Sequence, residues 1–267
     1  MTFQSPGDVA FEVFGFPVYW YGIILASACL VAVCAARVLY SFVYKDGKGD
    51  MIWDAAPFVV ILGIIGARLY YCLVNIDYYF FHPLEIFYIR GGGLSIHGGL
   101  IAGILGLLWA AKKYKVSFLR LLDLFSAGTV LAQSFGRWGN FFNNEAFGLP
   151  YDGFFKLYIP PAFRPEGFAA FEYYHPAFLY ESAADFVIFF ILVFTLKRFG
   201  VKFEGLTLCL YLMLYSLARF FIEGIRLDSA LNLGNLHIAQ IISVCIFAGA
   251  LAGFVFILFK RKTLKFD

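Results

Sequence analysis

The chain has 267 residues, of which 61% are hydrophobic and only 15% charged, with a formal net charge of +3 and a mean hydropathy of +0.78. A soluble domain carries about 25% charged residues, so this composition excludes a soluble globular protein and implies a polytopic membrane protein. So small a net charge gives no argument for nucleic acid as a partner. Cys29, Cys34, Cys72, Cys209 and Cys245 are odd in number, lie in apolar runs and lack Cys-x-x-Cys spacing. They read as small buried hydrophobes rather than metal ligands or a disulfide framework.

A membrane-spanning helix needs about 20 mostly apolar residues, fewer when flanking groups snorkel. Seven segments qualify: Val18 to Tyr40, Trp53 to Val74, Ile96 to Ala111, Phe118 to Phe135, Ala177 to Leu196, Gly205 to Phe221 and Leu236 to Phe259. The first is read as an uncleaved anchor, because Asp8 and Glu12 precede it and no small-residue cleavage pattern follows. Connections are short except Leu149 to Tyr174, which is rich in aromatic rings and punctuated by Pro150, Pro160, Pro161 and Pro165. Such rings favour the headgroup layer. Residues 149–174 therefore read as a small irregular head outside the membrane, or as an ordinary loop sharing the aromatic bias of the chain. With no internal repeat and no separate soluble domain, residues 1–267 are expected to form one integral membrane domain of all-α class.

Orientation follows from Lys and Arg. Lys45 and Lys48 follow the first segment; Lys112, Lys113, Lys115 and Arg120 follow the third; Lys197, Arg198 and Lys202 follow the fifth; Lys260, Arg261, Lys262 and Lys265 follow the seventh. With seven spans all four groups share one side, the cytoplasm, and the N-terminus lies outside. The opposite loops hold fewer cations, among them Arg90, Arg137 and Arg226, for which other roles are available.

Unusual polar residues gather on that outer side. Residues 136–148 read Gly-Arg-Trp-Gly-Asn-Phe-Phe-Asn-Asn-Glu-Ala-Phe-Gly, directly after the fourth apolar run. Polar groups near lipid are costly. A helix cap with a turn accounts for one Gly and one Asn, but not for Arg137, Asn140, Asn143 and Glu145 together. Tyr21 starts the first segment, and His97, bracketed by five glycines, opens the third. His175-Pro176 leads through Tyr180 and Glu181 into the fifth. Tyr215, Arg219 and Glu223 are spaced i, i+4, i+8 on one face of the sixth, with Arg226 three residues beyond. Gln240 sits near the outer start of the seventh.

Each of these has a structural alternative. Glu223 and Arg219 form a helix-end ion pair as readily as a site. Arg219 within a span faces a cavity or pathway by default, and so does Arg68, whose alternative is a carboxylate partner inside the bundle. The glycines around His97 let a ligand approach or let helices pack tightly, so the histidine is a catalyst, a lipid ligand or a hydrogen-bonded structural residue. His175 is a helix cap in its plainer reading, and Tyr180 and Glu181 are candidates for pairing across to the sixth segment.

The chemistry of this set points to phosphate. Arginine carries a planar fork of donors and a permanent charge, and amides donate to phosphate or glycerol oxygens. An imidazole titrates near neutrality and can take a proton. Arg137, Arg219, Asn140, Asn143 and His97 at headgroup depth therefore suggest transfer at an anionic phospholipid. Protease patterns are lacking: there is no His-Glu-x-x-His and no Gly-x-Ser-x-Gly, and Asp54, Asp123 and Asp185 have no Gly-Asp context. A phospholipid flippase or transporter with an outer-leaflet headgroup site is the alternative. Transporters commonly show repeats and midplane sites, whereas the polar residues here sit at one end.

The string Gly136-Arg137-x-Gly139-Asn140-Phe141-x-Asn143-x-Glu145-x-x-Gly148 resembles the signature of the bacterial prolipoprotein diacylglyceryl transferases. Trp20-Tyr21-Gly22, His97-Gly98-Gly99, His175-Pro176-x-x-Leu179-Tyr180-Glu181 and Arg219-Phe220-x-x-Glu223-x-x-Arg226-x-Asp228-Ser229 agree with that family in order, and only 149–174 carries no matching motif. The resemblance implies a seven-helix enzyme of the bacterial plasma (inner) membrane, facing the outer leaflet. It implies transfer of diacylglyceryl from phosphatidylglycerol to the lipobox cysteine of a prolipoprotein signal peptide, forming a thioether and releasing glycerol phosphate, with no metal and no cofactor. Within it, His97 is the candidate base for the thiol, or a lipid ligand, and Arg137 and Arg219 hold the leaving phosphate. Asn140, Asn143 and Glu145 position lipid or orient Arg137, Tyr21 and Tyr215 line the headgroup pocket, and Glu223 holds Arg219. Gly148 and Arg226 complete the substrate-binding set. All of this requires Arg137, Arg219 and His97 to share one chamber level with the exterior lipid phosphates.

Overall fold

The computed structural model describes residues 1–89, 92–227, 232–233 and 236–263. Arg90, Gly91, Asp228, Ser229 and Lys265 lie outside the described residues, as do the side chains of Arg261 and Lys262. Seven long helices run in chain order: α1 Trp20–Tyr44, α2 Met51–Val74, α4 Ile96–Tyr114, α5 Phe118–Phe142, α6 Ala177–Phe199, α7 Leu206–Glu223 and α8 Ile238–Thr263. A single turn, α3 Ile76–Tyr79, follows α2. Five of these helices, α1, α2, α6, α7 and α8, are long and apolar enough to cross a membrane, so the chain is a polytopic membrane protein. Helices α4 and α5 match them in length but carry Lys112 and Lys113, and Arg120, Asp123 and Arg137.

Several boundaries shift by a few residues from the sequence expectation, and three differences shape the head end. The fourth segment does not stop at Phe135: α5 continues to Phe142, so Arg137 and Asn140 stand on its last turns rather than beyond them. A loss of apolar character does not break a helix whose backbone bonds can continue. Val18 and Tyr19 belong not to α1 but to strand β3 (Phe16–Tyr19), which pairs antiparallel with β2 (Val9–Val13). The head segment is mostly irregular, as expected, but it also carries a small sheet. Strand β1 (Thr2–Gln4) lies parallel to β4 (Lys156–Tyr158), with Phe3 opposite Leu157, and β4 pairs antiparallel with β5 (Tyr173–Tyr174). The N-terminal residues thus help build the head, where Phe147, Leu157, Ile159, Tyr174 and Phe178 form a buried cluster.

Helix α5 is the axis of the bundle and packs on α1, α4, α6 and α7. Two polar clasps fix its neighbours in register. Ser134 and Ser182 bond reciprocally, each hydroxyl donating to the other's carbonyl at 2.9 and 2.8 Å, which locks α6. Asp123, fully buried, accepts from the Gly205 and Leu208 amides at 2.7 and 2.8 Å. It therefore caps the first turn of α7, whose amides have no partner within the helix.

At the end of the bundle away from the head, Arg120 joins Asp46 and Glu204, each at 3.1 Å, and Lys48 donates to the Tyr114 and Lys115 carbonyls at 3.1 and 3.2 Å. The connections after α1, α4 and α6 therefore meet at one end. Between α2 and α4 the close approach falls on glycine. A Cβ added at Gly98 would sit 2.2 Å from the Gly66 carbonyl oxygen, so tight helix packing accounts for Gly98. Of the cysteines only Cys72 is buried; Cys29 and Cys245 are exposed on helix surfaces, which corrects the expectation that all five are buried.

Arg68 takes neither of its expected roles. It is buried and donates to the carbonyls of Ile86 (2.8 Å), Gly92 (3.1 Å), Gly93 (3.0 Å), Glu85 (2.5 Å) and Tyr88 (3.0 Å). The guanidinium staples the loop between α2 and α4 onto α2. Arg68→Lys keeps the charge but loses the planar fork and two of the five donors. Hydrogen exchange should show faster opening of residues 83–89 and 92–95, by the roughly 1–3 kcal/mol that a buried unpaired acceptor costs, while the core of α5 keeps its protection.

Candidate active site

Glu181, on the first turns of α6, lies in the middle of the polar residues at the head end. It is 3% exposed. Its Oε1 meets Arg219 Nη1 of α7 at 2.6 Å, and its Oε2 meets Arg137 Nε of α5 at 3.1 Å and Arg226 Nη1 at 3.4 Å. Arg219 Nη2 also pairs with Glu223 Oε2 at 2.7 Å, and Arg137 Nη2 donates to the Tyr215 hydroxyl at 3.4 Å. The spacing of Tyr215, Arg219 and Glu223 does put all three on one face of α7, and that face meets α5 and α6. One turn below Glu181, Asp185 is 2% exposed and its Oδ2 accepts no hydrogen bond. Its electrostatic neighbours include Arg137, Glu181 and Arg219.

Residues 136–148 wrap this cluster. Asn140 and Asn143 both donate to Glu145 Oε1, at 2.9 and 3.3 Å, so these three bind one another at the exposed end of α5. The chain then turns sharply through Asn144 and Ala146, with φ of 54° and 56°. Asparagine tolerates that left-handed conformation and alanine does so only under strain. Gly148 forms a bridge with Arg226. A Cβ there would lie 2.8 Å from both the His175 Cβ and the Ile225 carbonyl oxygen, so only glycine lets the loop bring Arg226 against Glu181. Tyr21, at the start of α1, lays its ring against Gly139, where a Cβ would come within 2.6 Å.

Arg137 and Asn140, with Tyr21 and Tyr215, also line the polar end of a cavity of about 500 Å³ bounded by α1, α2, α4, α5 and α7. Most of the remaining lining is aliphatic. Arg219 does not line this cavity and is joined to Arg137 through Glu181. His97 does not complete it. The ring is exposed on the first turn of α4, 6.0 Å from that of Tyr70, and it does not line the cavity although its neighbour Ile96 does. Of the three residues expected to share one chamber, Arg137 lines this cavity, while His97 stands beside its lining residue Ile96. Gly98 must face Gly66, which turns His97 to another side of α4. His175 stacks on Tyr151 at 3.9 Å and lies 3.2 Å from the Tyr180 hydroxyl. Burial pushes its imidazole below the ordinary range. Gln240 ties α8 to the Phe220 carbonyl of α7 at 3.1 Å.

Residues 8–256 match the family described as prolipoprotein diacylglyceryl transferase. The chain is 42% identical over 268 residues to the phosphatidylglycerol–prolipoprotein diacylglyceryl transferase of a Synechocystis species, covering 98% of this chain and 93% of that one. It is 40% identical over 266 residues to the protein of the same name from Trichormus variabilis, covering 98% and 93%. With the namesake from Fervidobacterium nodosum it shares 42% identity over 248 residues, covering 91% and 82%. The chain belongs to the prolipoprotein diacylglyceryl transferase family.

The expected pairing of Glu181 across to the sixth segment is met by Arg219, although Glu181 is absent from the site residues read from the sequence. A carboxylate four residues past the start of an apolar segment was the available signal, since such a group requires a cationic partner. Asp185 carried the same signal one turn on. Glu181→Gln removes the counter-charge of three guanidiniums while keeping the side-chain shape. Thermal unfolding in detergent should show a loss of roughly 3 kcal/mol, as expected for breaking a buried ion pair. The exposed Glu145→Gln should cost less than about 1 kcal/mol.

Proposed function

We propose that this chain transfers the diacylglyceryl group of phosphatidylglycerol to the lipobox cysteine of a prolipoprotein, with the lipid phosphate held at Arg137 and Arg219. The observation that carries this reading is Arg137 at the polar mouth of an apolar cavity, with Arg219 and Arg226 linked to it through the buried Glu181. Glu181 already occupies the space between the forks with the same kind of oxygen pair that a phosphate presents. The carboxylate preorganises the guanidiniums before lipid arrives.

The step is attack by thiolate sulfur on the glycerol carbon that bears the phosphate. A sulfur–carbon bond forms, the carbon–oxygen bond breaks, and glycerol phosphate leaves with the bonding pair. A diester with one negative charge becomes a monoester with nearly two, since the second pKa of such a phosphate is about 6. Charge therefore grows where the guanidiniums stand, which is stabilisation of the transition state rather than of the substrate alone. Tyr21 and Tyr215 line the headgroup pocket. Asn140, Asn143 and Glu145 form the rim over Arg137, Gly148 admits Arg226, and Glu223 holds the Arg219 rotamer. The thiol proton goes to His97, which stands exposed at the head end on the first turn of α4, beside a residue that lines the cavity. The positive end of that helix favours an approaching thiolate.

The membrane arrangement in this reading is seven crossings of the bacterial plasma membrane, with the head and the arginine cluster at the outer leaflet. Three basic connections meeting at the opposite end support the cytoplasm there by the positive-inside rule.

Purified protein incubated with labelled phosphatidylglycerol and a lipobox peptide should yield a peptide heavier by one diacylglyceryl group. Lipid crossing vesicles with no peptide modified would overturn the reading in favour of transport. Arg137→Ala should lower turnover about 100- to 1,000-fold, the usual cost of one preorganised electrostatic group, and Arg137→Lys should recover only part. His97→Gln and His97→Asn should reduce turnover by about 100-fold or more and flatten its rise with pH. An unaltered profile would remove His97 as the base.

A further inference from the structure

Below Arg137 the cavity continues as a slot along α5 toward the far end of the bundle. Its two ends differ. Near the head, lining residues Leu25 and Ile96 are 50% and 71% exposed, and midway along α2 Val60 is 42% exposed, so the slot opens sideways to the surroundings from the head to mid-depth. At the far end, lining residues Met51, Ala110 and Leu121 are 6%, 2% and 3% exposed, so the slot is blind there. Along α5 the distance from Arg137 to Leu121 is roughly 24 Å at the helical rise. Half of a hydrocarbon core is only about 15 Å. The slot is therefore deeper than the leaflet that a phosphate at Arg137 would belong to.

We propose that the slot seats one acyl tail of the diacylglyceryl donor, and that its floor of Met51, Ala110, Tyr114 and Leu121 sets the longest tail accepted. This rests on the transferase reading and adds a specificity device to it. The occupant follows from continuity: the same cavity begins at the guanidinium that holds the phosphate and, past Gln133 and Thr129, is lined mostly by aliphatic side chains toward its far end. A tail leaving the bilayer is already in hydrocarbon, so entering the slot gains no hydrophobic free energy. Selection therefore comes from fit. A tail that is too short leaves a void without dispersion contacts. One that is too long strikes the floor and lifts the phosphate away from Arg137, because a packed interior does not yield to extra methylenes.

Ala36 lines the slot on α1 near its blind end, and Tyr114 forms part of the floor. Neither belongs to the phosphate site. Ala36→Leu shortens the slot and Tyr114→Ala lengthens it. Wild type and both variants are given a lipobox peptide and an equimolar mixture of dilauroyl, dipalmitoyl and diarachidoyl phosphatidylglycerol, and the peptide products are weighed by mass spectrometry. Ala36→Leu should move the product ratio toward dilauroyl by about tenfold, within the range that methylene fit gives in apolar pockets. Tyr114→Ala, which only removes bulk, should raise the diarachidoyl share and carries the test should Ala36→Leu fail to fold. Wild-type product ratios in an active, folded Tyr114→Ala variant would overturn the ruler and leave the transferase reading intact. A wild type that modifies no peptide with any lipid would overturn both.

Discussion

A single buried carboxylate, shared by three guanidiniums, is the constraint on which the head end of this molecule depends. Glu181 comes from α6, Arg137 from α5, Arg219 from α7, and Arg226 from the segment just beyond α7. An unpaired charge at that depth would cost several kcal/mol, so the three elements have one arrangement in which the charges meet. The Ser134–Ser182 clasp and the Asp123 cap hold α6 and α7 against α5 lower in the bundle, where lipid offers no competing hydrogen bonds. Polar contacts thus set the register of helices whose apolar faces alone would allow them to slide.

The family signature acquires a physical meaning from that geometry. Gly139 leaves room for the Tyr21 ring, and Gly148 lets the loop run between His175 and Ile225 so that Arg226 can reach Glu181. Asn140, Asn143 and Glu145 hold one another over the end of α5. Arg137, the member of the cluster that lines the cavity, stands at the polar end of a mostly aliphatic wall, a layout that fits the proposed phospholipid donor. The proposed transfer and the proposed tail ruler use the two ends of the same cavity.

Much of this was legible along the chain. Each of the seven apolar runs corresponds to a long helix, because twenty apolar residues in succession have few other fates in a membrane. The i, i+4, i+8 spacing of Tyr215, Arg219 and Glu223 placed them on one face without any coordinates. Helix ends were less legible: α5 runs on to Phe142 through residues that look like a loop. The head's sheet was hidden because β1 and β4 lie far apart in sequence and each is only three residues long. Arg68 reads from the sequence as a pathway or ion-pair residue and is a staple for backbone carbonyls.

Sequence alone determined the membrane class, the helices, the set of polar residues at one end and the family, since hydropathy, spacing and motif are properties of neighbouring residues. Tertiary structure decided which charges meet. Arg219 and Arg226 find Glu181 across 38 and 45 residues of chain, and such pairings depend on the rotation and height of packed helices, which no local pattern records. The same physics set the direction of His97. With Gly98 pressed on Gly66, the histidine one position earlier on α4 is carried about 100° around the helix, away from that contact.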